Sequence, residues 1–334
     1  MLYLKEGRIL QRKKTGVLVT ALAAGGLYSK YQALKKGQSQ RSWLLEKVFW
    51  ATKPFPEINN EREYHKEDLR SRQKYELPHK IKTLFGFHPL AGMDDVLELS
   101  RFSNAGGRVI FYVHGGAYWG QPAFFHFEML YKLAKELNAR VVMPIYPKAP
   151  AHNALEVHQM ILGVYRILLE QDQLAPEQII FMGDSAGGGF LLSFMQELYK
   201  QGLSLPQAAF LISPWLDINT DFPEIKALQP NDPLLCAHDL KLRGRKYAGN
   251  LATTDPLVSP LYGNLENLPP IYVFTGTHDI LHADALRLQG LATAQNLRIK
   301  TFTYPQMLHV FPLFPIPEAG DALRQISRII RHCD

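Results

Sequence analysis

Short apolar segments alternate with amphipathic segments from residue 109 to residue 331 of this 334-residue chain. The apolar segments are rich in β-branched and aromatic residues, and the segments between them carry apolar residues at helical spacing. This alternation predicts βαβ units, in which helices cover both faces of a mostly parallel sheet. We predict strands at 109–113, 140–145, 178–182, 208–212, 271–274 and 299–304, and helices at 124–137, 155–169, 190–199, 283–292 and 319–331.

Two regions fall outside this alternation. Residues 51–80 are polar and contain several prolines, so they are interpreted as a connection, and residues 79–99 are expected to add one or two antiparallel edge strands. More than fifty residues separate the predicted strands at 208–212 and 271–274. A long excursion in a compact α/β domain is usually functional, and this one is interpreted as a lid or cap.

The positive charge of the chain lies at its N-terminus. Residues 1–50 hold ten Lys and Arg and two Glu, a net charge of +8, whereas the whole chain carries +6, so the remainder carries −2. A nucleic-acid enzyme would be expected to carry a basic patch on its main domain, so nucleic acid is not an expected partner. Two cysteines, Cys236 and Cys333, are too few for a disulfide framework and are interpreted as free thiols.

Residues 1–36 are predicted to form a basic and apolar extension ahead of a domain that spans residues 37–334. Their uncharged run, residues 15–29, is shorter than the roughly 20 residues of a membrane-spanning helix. Three interpretations stay open: a helix that packs on the domain, a segment on an anionic membrane surface, and a cleaved signal. The expected location is the cytoplasm, with membrane association through residues 1–36 as the alternative and secretion as the less favoured one.

A G-x-S-x-G pattern lies at residues 183–187, directly after a predicted strand and before a predicted helix. A serine on such a sharp turn presents its Oγ above the sheet. It also lies at a helix N-terminus, where free N–H groups favour a developing negative charge. Ser185 is therefore the candidate nucleophile, although an N-cap serine followed by close-packed glycines would give the same local pattern.

A His-Gly-Gly sequence at residues 114–116 ends the strand predicted at 109–113. Acyl transfer creates an oxyanion that needs backbone N–H donors, and glycine lets the backbone approach closely. We predict that the N–H groups of Gly115, Gly116 and Ala186 form this oxyanion hole. Alone, the sequence would fit a tight turn equally well, but its pairing with the serine pattern favours the hole. His114 is expected to brace the loop.

A candidate acid and a candidate base follow the last two predicted strands. Asp279 lies on the loop after strand 271–274, and His309 lies on the loop after strand 299–304. The chain order of serine, acid and histidine is the order of a catalytic triad on this kind of sheet. His309 is interpreted as the general base and Asp279 as the group that orients it.

Other polar residues near these loops are interpreted as non-catalytic. Asp284 is expected inside the following helix, with its carboxylate in solvent, and His278 and His282 are expected on the loop or the surface. No metal-ligand spacing and no phosphate-binding loop is found in the sequence. Tyr118 and Trp119, beside the predicted hole, are candidates to shape a substrate pocket, with core packing as the equal alternative.

Together, these segments resemble the hormone-sensitive-lipase-like branch of the α/β-hydrolases, a group of bacterial esterases and lipases. The resemblance covers roughly residues 80–332 and rests on YVHGGAYWG (112–120), YPKAPAHNALEV (146–157), GDSAGGG (183–189), LISPWLDI (211–218), DPLVSPLYGNLENLPPIYVFTGTHDIL (255–281) and HVF (309–311). It implies the α/β-hydrolase fold, a helical cap from about residues 37–78 and 218–250, and no cofactor. The chain departs from the family at Ala117, where a third glycine is common, and at residues 147–152.

The resemblance implies ester hydrolysis through an acyl-enzyme, with Ser185, Asp279 and His309 as the triad. The expected partner is a small-molecule ester with a short- to medium-chain acyl group, and a homodimer remains an open alternative. Two other activities also fit. An arylformamidase or deacetylase of the same fold would cleave amides, and a ligand-binding protein on this scaffold would typically lack a triad residue.

Overall fold

The computed structural model describes residues 25–55, 57–103 and 107–332. An eight-stranded sheet with the strand order 1-2-4-3-5-6-7-8 forms its centre. The pairs β1–β2 and β2–β4 are antiparallel and the other neighbours are parallel, so the predicted mostly parallel sheet with antiparallel edge strands is confirmed. The strands are β1 His88–Leu90, β2 Met93–Leu99, β3 Val109–Val113, β4 Arg140–Pro144, β5 Ile179–Asp184, β6 Ala208–Ile212, β7 Ile271–His278 and β8 Ile299–Leu308.

Helices cover both faces of the sheet. Alternate residues of β3 point into two separate apolar cores: Val109 and Phe111 into one, and Ile110 and Tyr112 into the other. The helices are α1 over residues 25–35, α2 Gln40–Thr52, α3 Glu61–Ser71, α4 His79–Phe85, α5 Phe124–Leu137, α6 Ala154–Glu170, α7 Ala186–Lys200, α8 Pro223–Leu228, α9 Ala237–Ala248, α10 His282–Gln295 and α11 Pro317–Arg331. Helices α6, α7 and α10 bury side chains in the first core, and α5 and α11 in the second.

The interpretation of residues 51–80 as a connection is wrong, because α3 lies within it. Among the residues of α3 only Ser71 is buried, so the helix lacks the apolar periodicity that would have predicted it. Its start is stabilised by Asn60, whose side-chain oxygen accepts from the backbone N–H of Glu63 at 3.0 Å. A capping residue followed by acidic residues was the sequence signal for this helix.

Strands β7 and β8 are longer than predicted. Their apolar runs end near residues 274 and 304, but the backbone ladder continues through Gly276, which pairs with Tyr304, to His278, which pairs with Leu308. Backbone hydrogen bonding extends a strand beyond its apolar residues, and periodicity alone does not register this. The longer strands bring the loops that carry residues 279 and 309 to one edge of the sheet.

The N-terminal extension lies partly outside the described residues, because the description begins at residue 25. Residues 25–35 are helical, with Ser29 and Ala33 buried. Across the three described ranges, every helix is too short or too polar to cross a membrane.

Candidate active site

Ser185 occupies a sharp turn between β5 and α7. Its backbone has φ 51° and ψ −122°, a conformation that an L-residue adopts only when its surroundings enforce it. The N–H of Ser185 donates to the carbonyl of Ile212 at 2.8 Å, and its carbonyl accepts from the N–H of Trp215 at 3.0 Å. These bonds hold the strained turn, and the side chain faces a cavity above the sheet.

The glycines around the serine are required by close backbone contacts. A Cβ built on Gly187 would lie 2.0 Å from the carbonyl oxygen of Val113, and one on Gly189 would lie 1.8 Å from that of Trp215. A side chain at either position would push α7 away from the sheet. The first turn of α7 follows Ser185 directly, so a displacement of α7 from β3 would also move the serine turn.

We expect Gly187→Ala to destabilise the protein by several kcal/mol, since rigid backbone cannot yield to the added methyl group. Gly163→Ala is the matched control, because Gly163 also lies inside a helix but a Cβ there would meet nothing within 4 Å. That change should stabilise the protein by about 0.5–1 kcal/mol, the usual gain from removing a glycine in a helix. Urea unfolding of the two variants measures both effects, and equal stability would contradict the close-contact explanation.

Three side chains form a continuous hydrogen-bonded chain at the carboxyl ends of the strands. The Oγ of Ser185 lies 2.9 Å from Nε2 of His309, and Nδ1 of His309 lies 3.0 Å from Oδ2 of Asp279. All three residues are buried. The second carboxylate oxygen of Asp279 accepts from the N–H of Leu281 at 2.9 Å, which orients the carboxylate. This geometry is the one in which a histidine can accept a serine proton.

The pKa of His309 is raised above its ordinary value. Burial lowers it, but the charge of Asp279 and the hydrogen bond to it outweigh burial, with further contributions from Asp232 and Asp184. A base with a raised pKa is protonated at a higher pH, so it loses the ability to accept a proton as the pH falls. The acid limb of the pH–rate profile is therefore expected above the usual histidine value of about 6.5.

Asp232 is a second carboxylate beside the triad, and sequence reasoning missed it. It lies in the excursion between β6 and β7, where its Oδ1 accepts from the N–H groups of Leu234 at 2.8 Å and Leu235 at 3.0 Å. Its Oδ2 accepts from the N–H of Ile280, next to Asp279, at 2.9 Å. Burial and the charge of Asp279 raise the pKa of Asp232 to about 6. Asp232 thus ties the excursion to the loop that carries the triad acid.

We expect Asp232→Asn to move the acid limb of kcat/KM to lower pH. Ionised Asp232 stabilises the protonated form of His309, so removal of this charge lowers the pKa of His309. The direction follows from the sign of the charge: a nearby anion favours the imidazolium. A pH–rate profile of both proteins measures it. If Asp232→Asn lowered kcat/KM but left the pH of the acid limb unchanged, the role of Asp232 would be structural only.

The glycine loop after β3 differs from its prediction at one residue. The N–H of Gly115 donates to Oδ1 of Asp184 at 2.9 Å, so it is engaged inside the protein in this conformation. This corrects the expectation that Gly115 donates to the oxyanion. Gly116, with φ 110°, and Ala117, with φ 53°, follow in left-handed conformations. Both line the cavity together with Ser185, and Ala186 begins α7 directly after the serine.

Asp184, the variable residue of the serine pattern, anchors this loop. Its Oδ1 also accepts from the hydroxyl of Tyr112 at 2.6 Å, and Nε2 of His126 lies 3.2 Å from its Oδ2. Burial raises the pKa of Asp184, but His126 and the hydrogen bonds from Tyr112 and Gly115 outweigh it, so the pKa lies below its ordinary value. The carboxylate is therefore ionised and holds the glycine loop against the serine turn. His126 and Tyr112 lie on other elements and gave no sequence signal.

His114 braces the loop, as its position predicts. It is fully buried, its Nδ1 lies 2.7 Å from the carbonyl oxygen of Gly115, and its ring stacks on Tyr146 at 4.5 Å. Burial holds the pKa of His114 well below its ordinary value, with the positive charge of Lys148 acting in the same direction. The hydroxyl of Ser185 is hydrogen-bonded to His309 and not to His114, so His114 acts on the loop and not on the serine.

Tyr118 and Trp119 pack in the core rather than on the cavity wall. The ring of Tyr118 stacks on Tyr247 with centroids 3.5 Å apart and contacts Trp215. The ring centroids of Trp119 and Tyr64 are 5.8 Å apart, and the guanidinium of Arg243 lies over the ring of Trp119. Neither is among the residues that line the cavity. The structure therefore places them where they support Tyr64 in α3 and Tyr247 in α9.

Three polar residues near the triad lie deeper than the sequence suggested. Asp284 is inside α10 as expected but fully buried, which corrects the prediction of a solvated carboxylate. Its Oδ2 accepts from the N–H groups of Leu216 at 2.8 Å and Asp217 at 3.1 Å, and burial raises its pKa to about 7. His282 is also buried, and His278 is half-buried at the end of β7, so neither is a surface residue.

The cavity above Ser185 has a volume of about 710 Å³. Side chains from two distant parts of the chain form its outer wall: Trp50, Lys53, Phe55, Glu57, Glu67 and Arg70 from the N-terminal side, and Lys226, Gln229, Asp232, Pro233, Leu234, Leu235, Cys236, Ala237, His238, Asp239, Leu240 and Arg243 from the excursion. Cys236 is a free thiol on this wall, and Cys333 lies outside the described residues. In the described ranges no group of three or more His, Cys, Asp and Glu could hold a metal ion.

Comparison with known proteins places the chain in a family. A family model of the alpha/beta hydrolase fold matches residues 110–313, more than half of the chain. An esterase of Acinetobacter venetianus is 31% identical over 230 residues, which are 68% of this chain and 76% of that protein. An acetyl-hydrolase of Streptomyces hygroscopicus is 30% identical, with 70% and 79% covered. The crystal structure of an esterase from the bacterial hormone-sensitive lipase family is 25% identical, covers 82% of this chain and 99% of its own, and has a TM-score of 0.68.

Proposed function

Since this chain belongs to the α/β-hydrolase fold family, we propose that it hydrolyses carboxylic esters of short- to medium-chain acids through an acyl-enzyme on Ser185. The chain is a serine hydrolase, and its relatives include proteins named esterase, acetyl-hydrolase and lipase. The observation that carries the proposal is the hydrogen-bonded chain from Ser185 through His309 to Asp279, which opens onto the cavity.

In the proposed reaction, Nε2 of His309 takes the proton of Ser185 Oγ as this oxygen attacks the ester carbonyl. Asp279 holds the proton on Nδ1, so that Nε2 is free to accept. The tetrahedral intermediate collapses when His309 donates its proton to the leaving alkoxide, and the alcohol departs. A water molecule then gives a proton to His309 and attacks the acyl carbon. The second tetrahedral intermediate collapses, the acid departs, and His309 returns its proton to Ser185 Oγ, which restores the serine.

The oxyanion of each tetrahedral intermediate needs two or three N–H donors. Because Gly115 already donates to Asp184, we assign the hole to the N–H groups of Gly116 and Ala186, with Ala117 in the place predicted for Gly115. Two features support this assignment. The consecutive left-handed residues 116 and 117 turn their backbone toward the cavity, and Ala186 lies at the positive end of α7.

The two outer segments of the cavity wall are assigned to the cap, within the predicted ranges 37–78 and 218–250. Leu234, Leu235 and Leu240 line the cavity from the second segment, and Trp50 and Phe55 line it from the first. This apolar wall suits an acyl chain, whose burial contributes about 0.8 kcal/mol for each methylene group. The chain-length preference is set by how far this wall extends from Ser185.

A series of p-nitrophenyl esters from acetate to palmitate tests this function. We expect kcat/KM to rise with each methylene while the apolar wall has room, and then to fall, with the maximum at a short or medium chain. Anilides with the same acyl groups are the matched comparison. Turnover of anilides or N-formyl aromatic amines without turnover of esters would replace the proposal with amide hydrolysis, and binding without turnover of either class would make the chain a binding protein.

We propose a cytoplasmic location, an N-terminal membrane-surface contact and a homodimer as the state to test first. Light scattering of the purified full chain tests the homodimer, and fractionation of cells tests the cytoplasmic location.

A further inference from the structure

The helices α1 and α2 bury polar side chains and leave several large apolar side chains exposed, while Leu45 and Phe49 of α2 are partly buried against the second core. In α2, the buried residues are Ser42 and Glu46, while Leu44 and Val48 are 45% and 52% exposed. In α1, Ser29 and Ala33 are buried, and the exposed large apolar residues are Leu27, Tyr28, Tyr31 and Leu34. A surface helix in water turns its apolar stripe toward the core, so the additional apolar side chains that these helices expose are unusual.

The concentration of these side chains is specific to this part of the molecule. Of the fifteen large apolar residues exposed in the described ranges, eight lie between residues 27 and 55. Scattered exposed apolar residues are ordinary, but a contiguous group marks a contact surface. The two helices lie side by side and present one surface. The ring of Tyr28 in α1 contacts Trp43 in α2, and the side chain of Gln40 donates to Ser29 Oγ at 2.7 Å.

Polar contacts to the domain hold α2 in this orientation. The carboxylate of Glu318 accepts from the hydroxyl of Ser42 at 2.6 Å and from the N–H of Ser39 at 2.7 Å. Nε2 of Gln38 donates to the carbonyl of Gln306 at 2.9 Å and to Glu46 at 3.1 Å. These hydrogen bonds would be lost if the helix turned its exposed apolar side chains inward. The exposure of the apolar side is therefore built into the fold.

The charge around the apolar side chains is of one sign. Residues 25–55 contain six basic residues and a single acid, Glu46, which is buried. Lys36 and Lys47 lie near Glu46, and the basic residues Lys30, Lys35, Arg41 and Lys53 are exposed. Large apolar side chains interspersed with lysine and arginine are the composition of a helix that lies at an anionic lipid surface.

We propose that the exposed sides of α1 and α2, here called the two-helix face, dock on a phospholipid bilayer with anionic headgroups. The same face continues to the active-site cavity, since Trp50, Lys53 and Phe55 belong to the end of α2 and the segment after it and line the cavity wall. Docking would place the cavity entrance at the lipid surface, where apolar esters accumulate. Only this last consequence rests on the proposed function; the docking itself does not.

Sedimentation with lipid vesicles tests the proposal on the full chain. We expect binding to vesicles that contain phosphatidylglycerol, weaker binding to pure phosphatidylcholine, and loss of binding at high salt. The combined change Leu27→Ser, Leu34→Ser and Leu44→Ser should reduce the partition coefficient at least tenfold. The double change Lys30→Glu and Lys35→Glu should also reduce it by about tenfold or more, since each basic residue near such a surface contributes about 1 kcal/mol.

The matched control is Leu84→Ser, Leu155→Ser and Leu286→Ser, which removes three leucines of 50–54% exposure on other helices. It should bind like the wild type. All variants should hydrolyse a soluble p-nitrophenyl ester at the wild-type rate, because none of the substituted residues lines the cavity. If neither the wild type nor any variant hydrolysed the soluble ester, the proposed function would be overturned. The docking proposal would still be decided by vesicle binding alone.

Tryptophan fluorescence gives a second measurement. Of the four tryptophans, Trp119 and Trp215 are buried, so quenching by brominated lipid reports Trp43 and Trp50 on α2. We expect quenching that Trp43→Phe diminishes. Wild-type binding by the face variants would overturn the proposal and assign the membrane contact to residues 1–24. A dimer that the leucine variant converts to monomer, without vesicle binding, would overturn it in favour of a second copy on this face.

Discussion

Replacement of Ser185 by alanine is expected to reduce kcat for ester hydrolysis by about 10⁴- to 10⁶-fold, the range seen when a triad nucleophile is removed. The change deletes the Oγ that lies 2.9 Å from Nε2 of His309 and leaves no nucleophile to form the acyl-enzyme. Binding of substrate should change little, because the cavity wall is unaltered. Turnover of p-nitrophenyl butyrate measures the loss of kcat, and equilibrium binding of a non-hydrolysable analogue to both proteins measures the binding.

Ser193→Ala is the matched control for Ser185→Ala. Ser193 lies on the same helix α7, is buried, and has its Oγ 3.4 Å from Nε2 of another histidine, His158. Burial lowers the pKa of His158 to about 4. Within the described residues Nδ1 of His158 has no hydrogen-bond partner, so this pair lacks the carboxylate contact that Asp279 makes with His309. Ser193→Ala should keep near-wild-type kcat. If both variants lost activity alike, the effect would come from packing of α7 rather than from the nucleophile.

Asp279→Asn is expected to reduce kcat by about 10⁴-fold while leaving the fold intact. The asparagine oxygen can still accept from the N–H of Leu281, but its amide would face Nδ1 of His309. The imidazole then carries its proton on Nε2, which points at Ser185 and can no longer accept the serine proton. Removal of the negative charge also lowers the pKa of His309, so the residual activity should have its acid limb at lower pH.

Asp284→Asn distinguishes the role of Asp284 from that of Asp279, the other carboxylate that follows β7. Asp284 accepts only backbone N–H groups in the described structure, and an asparagine oxygen can replace that acceptor. We expect activity within about tenfold of the wild type. A larger loss in Asp284→Asn than in Asp279→Asn would transfer the role of triad acid to Asp284.

Stability of Asp284→Asn adds a pH measurement with a defined sign. The pKa of Asp284 is raised to about 7 in the folded protein, above the ordinary value of about 3.9, so the folded state holds a proton that the unfolded state releases. This carboxyl therefore makes stability fall as the pH rises from about 4 to 7. The asparagine variant should show less of that fall in thermal unfolding.

Local patterns were sufficient to predict the parallel strands and the nucleophile. The central parallel strands β3, β5 and β6 are short runs of buried residues because both faces of the sheet are covered, and β3 and β6 have the predicted bounds. Ser185 was predictable because strand, sharp turn and helix are adjacent in the chain. The conformation of this turn depends on residues within a few positions of each other, so a short sequence pattern is sufficient to identify it.

The sequence did not predict contacts between distant segments. Asp232 and Ile280 are 48 residues apart, and Tyr112 and Asp184 are 72 apart, yet each pair is hydrogen-bonded beside the triad. No periodicity relates such pairs, because their approach is set by the strand order of the sheet. The engagement of Gly115 by Asp184 has the same origin, and it is the reason for which we propose the oxyanion hole at Gly116, Ala117 and Ala186.

The sequence by itself determined the sheet, the order of Ser185, Asp279 and His309, and the positive charge of the N-terminal region. These follow from apolar periodicity, loop position and composition, which are local properties. Only the tertiary structure decided that Asp284 is buried, that Tyr118 lies behind the cavity wall, and that α1 and α2 leave several large apolar side chains exposed. Burial depends on what packs against a side chain, and that neighbour is supplied by the fold.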